Sequence, residues 1–202
     1  MLRYLIIACA LVTTNFAYAE GKILALSGST RKQSVNKQLL LEAVRMARQA
    51  GSEVVVIDLK DYPMPFYDAD LEAQEGMPEK ARELRKKMGE SQMIYLSSPE
   101  YNGSLPAVLK NAIDWASRGT DGRPSKEAFK GKKFLLLSAS PGLKGGSRGL
   151  VHLRAIIEDV GGTVISQQFS LPDAYNAFDD QGHLKSAKLQ AQLRQLVQQS
   201  IR

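Results

Sequence analysis

Ten consecutive residues, Ser27-Gly28-Ser29-Thr30-Arg31-Lys32-Gln33-Ser34-Val35-Asn36, hold four hydroxyl side chains, one glycine and one arginine. Such a run suits an anion. Hydroxyls donate to phosphate oxygens, a guanidinium adds a charge-assisted fork, and free N–H groups at a helix start attract negative charge. The same residues also describe an ordinary turn and N-cap, because Ser and Asn are common caps in any protein. Two further stretches carry residues with chemical potential: Ser97-Ser98-Pro99-Glu100-Tyr101-Asn102-Gly103-Ser104-Leu105-Pro106, and a glycine-rich run from 142 to 149. The second of these contains Gly145-Gly146-Ser147-Arg148-Gly149, a match to the Gly-x-Ser-x-Gly pattern of α/β-hydrolases, and Asp173 or Asp179 followed by His183 completes their residue order. The context opposes that reading. A nucleophile elbow turns sharply off its strand, whereas Leu137 lies ten positions before Ser147, with Pro141 between them.

Other chemistries are excluded by supply. Cys9 is the only cysteine and His152 and His183 the only histidines, which argues against disulfides, a Cys nucleophile and a protein-bound transition metal. No Gly-x-Gly-x-x-Gly follows the first apolar run, and no Gly-Lys-Ser/Thr loop occurs.

The elements that must position these loops alternate in type. Ile23-Leu24-Ala25-Leu26 reads as a buried strand, and Leu40, Ala43, Val44 and Ala47 recur as one face of a helix. Val54-Val55-Val56-Ile57 is a second strand, after which Pro63 and Pro65 open a loop to about Gly76. Pro78 starts a charged helix carrying Ala81, Leu84 and Met88 inward. Gln92-Met93-Ile94-Tyr95-Leu96 is a third strand, followed by the polar loop and a helix with Leu105, Val108, Leu109 and Ala112. Phe134-Leu135-Leu136-Leu137 is a fourth. The glycine-rich loop then leads to a helix with Leu150, Leu153, Ile157 and Val160, Thr163-Val164-Ile165 is a fifth strand, and Leu189, Leu193, Leu196 and Val197 mark the last helix. Alternating strands and helices imply parallel pairing in a three-layer α/β sandwich of one domain. Ligands of such sheets lie beyond the C-terminal strand ends where the strand order reverses, so the loops after strands one, three and four should meet.

At this point the chain resembles a known family. The run Pro99-Glu100-Tyr101-Asn102-Gly103-Ser104, continuing into Leu109-Lys110-Asn111-Ala112-Ile113-Asp114-Trp115, is similar to the flavin-ring loop and following helix of NADPH-dependent FMN reductases. Ser27, Gly28, Ser29, Arg31, Ser34 and Asn36 match that family's phosphate motif, and the stretch from Phe178 to Leu184 resembles its approach to the last helix. The resemblance implies a flavodoxin-like fold with a five-stranded parallel sheet, strand order 2-1-3-4-5. It implies bound FMN, NADPH or NADH as electron donor, a flavin, quinone or similar small-molecule acceptor, and a homodimer or tetramer. Ser27, Ser29, Thr30, Arg31, Ser34 and Asn36 would then hold the phosphate, and Pro99, Glu100, Tyr101, Asn102 and Gly103 would border the ring. Ser140, Gly142 and Gly145, followed by Gly146, match the third loop. No residue needs to be catalytic, since the chemistry resides in the cofactor. The competing picture is an FMN-carrying electron shuttle with no room for a nicotinamide.

Composition is ordinary for a soluble globular protein. The chain has 202 residues, 44% hydrophobic and 24% charged, with a formal charge of +6. Its densest basic run, from 79 to 87, interleaves acids around Ala81 and Leu84, which is a solvated helix face and no nucleic-acid stripe. Residues 1–19 read as a secretory signal: Arg3, an apolar run from Leu5 to Val12, and Ala17-Tyr18-Ala19 ahead of Glu20. That run is too short for a stable membrane anchor. Residues 20–202 form the domain, exported to the periplasm if the signal acts and cytoplasmic if it does not; export would place the domain away from the soluble NADPH pool.

Overall fold

The computed structural model describes residues 22–201; the signal reading of residues 1–19 lies outside them. In chain order the elements are β1 (Ile23–Ser27), α1 (Val35–Gln49), β2 (Val54–Asp58), α2 (Ala69–Glu75), α3 (Glu79–Gly89) and β3 (Met93–Ser97). Then follow α4 (Ala107–Ala116), β4 (Lys133–Ala139), α5 (Ser147–Asp159), β5 (Thr163–Val164), β6 (Phe169–Leu171) and α6 (Ala187–Ser200). All strand pairings are parallel, in the order β2-β1-β3-β4-β5, as the flavodoxin-like expectation requires. The fifth position differs in detail. β5 pairs only with Lys133 and Phe134, and the chain rejoins β4 as β6 along Leu137, Ser138 and Ala139. One interrupted strand thus fills the sheet's edge, and its second piece reaches the same end of the sheet as β1, β3 and β4.

Burial on both faces explains why the strands read as continuous apolar runs. Ile23, Ala25, Met93, Tyr95, Leu135 and Leu137 point to one side, where α1 and α6 bring Leu39, Leu40, Ala43, Leu193 and Leu196. Leu24, Leu26, Ile94, Leu96, Phe134 and Leu136 point to the other, against Leu84 of α3, Leu109 and Ile113 of α4, and Leu153 and Ile157 of α5. The period of two along each strand therefore builds two cores, one per face.

Two local expectations are corrected. The segment after Pro65 is not loop throughout: α2 forms there, with Asp68 as N-cap accepting from Asp70 and Leu71 N–H. The only residue it buries is Glu72, so it has no apolar stripe to announce it. α5 begins at Ser147, before the glycine-rich run ends, because Gly149 lies inside the helix.

Candidate functional site

Three loops leave the C-terminal ends of adjacent strands and continue the sheet's hydrogen bonding outward. Gly28 N–H donates to Ser97 C=O at 2.8 Å, Ser98 N–H to Leu137 C=O at 2.9 Å, and Ser140 N–H to Leu171 C=O at 3.1 Å. The loops therefore leave the sheet side by side, at the point where strand order reverses beside β1. Between them opens a cleft of about 270 Å³, lined by Ser29, Arg31, Ser34, Val35, Asn36, Pro99, Glu100, Tyr101, Ala139, Ser140, Pro141 and Tyr175.

On the β1 side the cleft is cationic and rich in hydroxyls. Ser34 caps α1, accepting from Lys37 N–H, and the first turn of α1 contains no acidic residue to offset its dipole. Ser29 Oγ accepts from Arg31 N–H at 3.4 Å and Ser27 Oγ from Ser29 N–H at 3.3 Å, a pair of short turns that shapes the loop. Arg31 is exposed and pairs with no carboxylate among the described residues. Asn36 faces the cleft, yet its amide is committed elsewhere. Nδ2 donates to Ala139 C=O at 2.8 Å, and Oδ1 accepts from Ala139 N–H at 2.9 Å and Ser97 Oγ at 3.2 Å. Asn36 fastens the start of α1 to β3 and β4. Ser27 is buried behind the loop, and Thr30 is exposed with no side-chain hydrogen bond among the described residues; neither lines the cleft.

The β3 side is proline and aromatic. Tyr101 and Ser104 exchange both backbone hydrogen bonds, at 2.9 and 3.0 Å, closing a two-residue turn. Asn102 at φ 51° and Gly103 at φ 81° form its tip, the left-handed pair that an Asn-Gly hairpin turn demands. They present Tyr101 to the cleft and do not line it themselves. Glu100 is no solvated loop acid. Its side chain is 8% exposed and accepts from Arg148 Nε at 2.8 Å and from Gly149 N–H at 3.0 Å. Burial opposes the charge, but the Gly149 N–H and the Arg148 guanidinium prevail and hold the carboxyl below its ordinary value. Glu100 thus occupies the N-terminal turn of α5 as its anion.

The glycines of the third loop allow close packing at the start of α5. Gly146, the N-cap of α5, sits at φ 86°, and a Cβ there would lie 1.9 Å from Ser138 Oγ. Gly142 donates its N–H to Ser140 Oγ, while Gly145 packs against the backbone of Leu171 and Pro172. Ser140 lines the cleft; Gly142 and Gly145 do not. Sequence reasoning missed Tyr175 and Pro141. The signal for Tyr175 was β6: a fifth strand ending at Ile165 leaves that tyrosine far from the site, while one continuing to Leu171 delivers it. The hydrolase arrangement is not assembled. His183 Nδ1 meets Glu42 Oε2 at 3.1 Å, His152 Nδ1 meets Ser104 Oγ at 3.1 Å, and Asp179 receives the backbone N–H of His183, leaving its ring aside.

Fold and cleft together define a flavodoxin-like α/β protein with an open cleft at its topological switch point. A family model described as NADPH-dependent FMN reductase matches residues 21–176, and the chain belongs to that family. An NAD(P)H-dependent FMN reductase of Pseudomonas aeruginosa is 34% identical over 181 residues, covering 89% of this chain and 91% of that one. A quinone reductase of Escherichia coli is 34% identical over 136 residues, covering 67% and 69% respectively. Among solved structures, the flavoenzyme NAD(P)H:(acceptor) oxidoreductase FerB from Paracoccus denitrificans superposes with a TM-score of 0.76 at 26% identity, covering 90% of this chain and 95% of that one.

The residues present fit an FMN. A flavin phosphate needs donors and positive charge, which Ser29, Ser34, Arg31 and the start of α1 offer. A flat ring needs an apolar, planar surround, which Pro99 and Tyr101 of the β3 loop, Ala139 at the end of β4 and Pro141 just after it offer.

Proposed function

We infer that the protein is an FMN-dependent oxidoreductase that uses NAD(P)H to reduce a small-molecule acceptor such as a flavin or quinone. One observation carries this reading: in a chain of this family, Arg31, which pairs with no carboxylate among the described residues, and the dipole of α1 share a cleft with a proline and aromatic wall. When bound, FMN supplies two-electron exchange between a nicotinamide and the acceptor. The protein supplies the rest. Ser29, Arg31 and Ser34 hold the phosphate, and Asn36 fixes the turn that aims them. Pro99, Tyr101 and Pro141 exclude water around the ring, and the Glu100 clamp holds the loop of Pro99 and Tyr101 against α5. No side chain acts as nucleophile, and Glu100, already closed by Arg148, moves no proton.

The test is anaerobic mixing of FMN-loaded protein with NADPH and with NADH while flavin absorbance is followed. Bleaching by either supports the function and selects the donor. Protein that keeps its flavin and bleaches with neither is an electron carrier of another kind; protein that cannot be loaded with FMN lacks the site.

Two further properties belong to the same proposal. The chain forms a homodimer or tetramer, which the exposed apolar residues Leu143 and Val151, at 95% and 62% exposure, support; light scattering gives the mass. Residues 1–19 direct the domain across a membrane, after which Glu20 is the first residue. Among the described residues no helix is long and apolar enough to cross a membrane.

A further inference from the structure

Tyr175 lies in the loop after β6 with 65% of its surface exposed, yet the backbone that carries it is fixed. Ala174, fully buried, donates its N–H to Ser140 C=O at 3.1 Å. Asp173 takes a left-handed φ of 47°, and its carboxylate accepts from Asn176 Nδ2 at 2.9 Å. The ring is therefore held out at the cleft by a braced turn. Tyr101, 51% exposed on its own braced turn, lines the same cleft. Sheet order sets the two apart, since one loop follows β3 and the other follows the edge strand beyond β4. Glu100, next to Tyr101 in the same cleft, has its carboxylate closed by Arg148, so it offers no free negative charge beside the two rings.

We propose that Tyr175 is a specificity-determining residue: it frames the mouth of the cleft opposite Tyr101 and stacks on the flat ring of an uncharged aromatic acceptor. The proposal rests on the oxidoreductase reading and adds to it the residue that selects planar neutral acceptors over small inorganic ones. Aromatic stacking contributes modestly beyond area burial, so the effect is one of selectivity, expressed in KM for the stacked acceptor.

The experiment uses the FMN-loaded full chain, its Tyr175→Ala and Tyr175→Phe variants, NADPH, and two acceptors: menadione, which is flat and neutral, and ferricyanide, which is an anion with no ring to stack. Tyr175→Ala should raise KM for menadione relative to ferricyanide by roughly three- to tenfold, with kcat for menadione little changed, and Tyr175→Phe should retain the wild-type ratio. An equal change for both acceptors, a weakened FMN affinity by fluorescence titration, or Tyr175→Phe behaving as Tyr175→Ala would overturn it. Wild-type protein that reduces neither acceptor defeats the oxidoreductase reading and this proposal together. Wild-type protein active on both, with unaltered selectivity in Tyr175→Ala, defeats this proposal alone.

Discussion

Arg31 and Glu100 are both charged residues of polar loops at one cleft, and their surroundings give them opposite roles. Arg31 is exposed and free of any carboxylate among the described residues, so its fork is available to a phosphate. Glu100 is buried and already paired. Arg31→Ala should therefore raise the dissociation constant for FMN by about tenfold, the low end for a charge-assisted contact because the guanidinium is solvated; Ser29→Ala should cost about threefold. Fluorescence titration measures both, and unchanged binding in Arg31→Ala would reduce the loop to a turn. Ser147 sits at the start of α5 with no hydrogen bond to either histidine ring. Ser147→Ala should leave reductase turnover intact, and neither protein should hydrolyse a p-nitrophenyl ester; an esterase lost with Ser147 would revive the hydrolase. Residue types pointed to the β1 loop but fitted an ordinary turn and N-cap as well, and it was the resemblance of the β3 loop that favoured the anion reading. They were not enough to separate Asn36 from its neighbours: only coordinates show its amide spent on Ala139.

At the scale of elements, the contact that decides the site's rigidity joins the β3 loop to α5. Glu100 acts as an anion at that helix's N-terminal turn, where Gly146 brings no side-chain cap of its own. The carboxyl's folded pKa is depressed, so its stabilisation is complete above the unfolded value, near 4.3, and is lost as pH falls through the folded one. Glu100→Gln should then lower the melting temperature by about 2 to 4 °C at pH 7, for a loss of roughly 1 kcal/mol. The gap should narrow towards pH 3. A gap independent of pH would mean that shape, and not charge, holds the loop. Such a contact was invisible in the sequence because Glu100 and Gly149 lie on different elements, and a Glu in a loop defaults to solvent. The same limit hid α2 and β6. α2 buries only Glu72, held by Arg118 and Tyr67, and β6 is three residues long, so neither carries a readable apolar period. The long strands and helices did carry one, and strand order followed from the alternation plus the resemblance.

For the whole molecule, the question is whether the fold depends on what precedes β1. Every described strand and helix lies between Ile23 and Ser200, and among the described residues the sheet's earliest bond is made by Lys22, whose C=O accepts from Gln92 N–H at 3.2 Å. A cut after Ala19 would leave Glu20 and Gly21 ahead of that bond. The described residues of both cores, on the α1/α6 face and on the α3/α4/α5 face, all lie downstream of that cut. A chain starting at Glu20 should accordingly melt at the same temperature as the full-length chain and bind about one FMN, since phosphate grip and ring wall both lie downstream. If residues 1–19 act as a signal, N-terminal sequencing of fractionated cells should find Glu20 first in a periplasmic species. Full-length protein confined to the cytoplasm would refute export while leaving the reductase untouched. Export would also constrain the donor: outside the cytoplasm no soluble NADPH pool is expected, so electrons would have to come from another partner. Reduction of the periplasmic species in intact cells, without added nicotinamide, would then be the observation to seek.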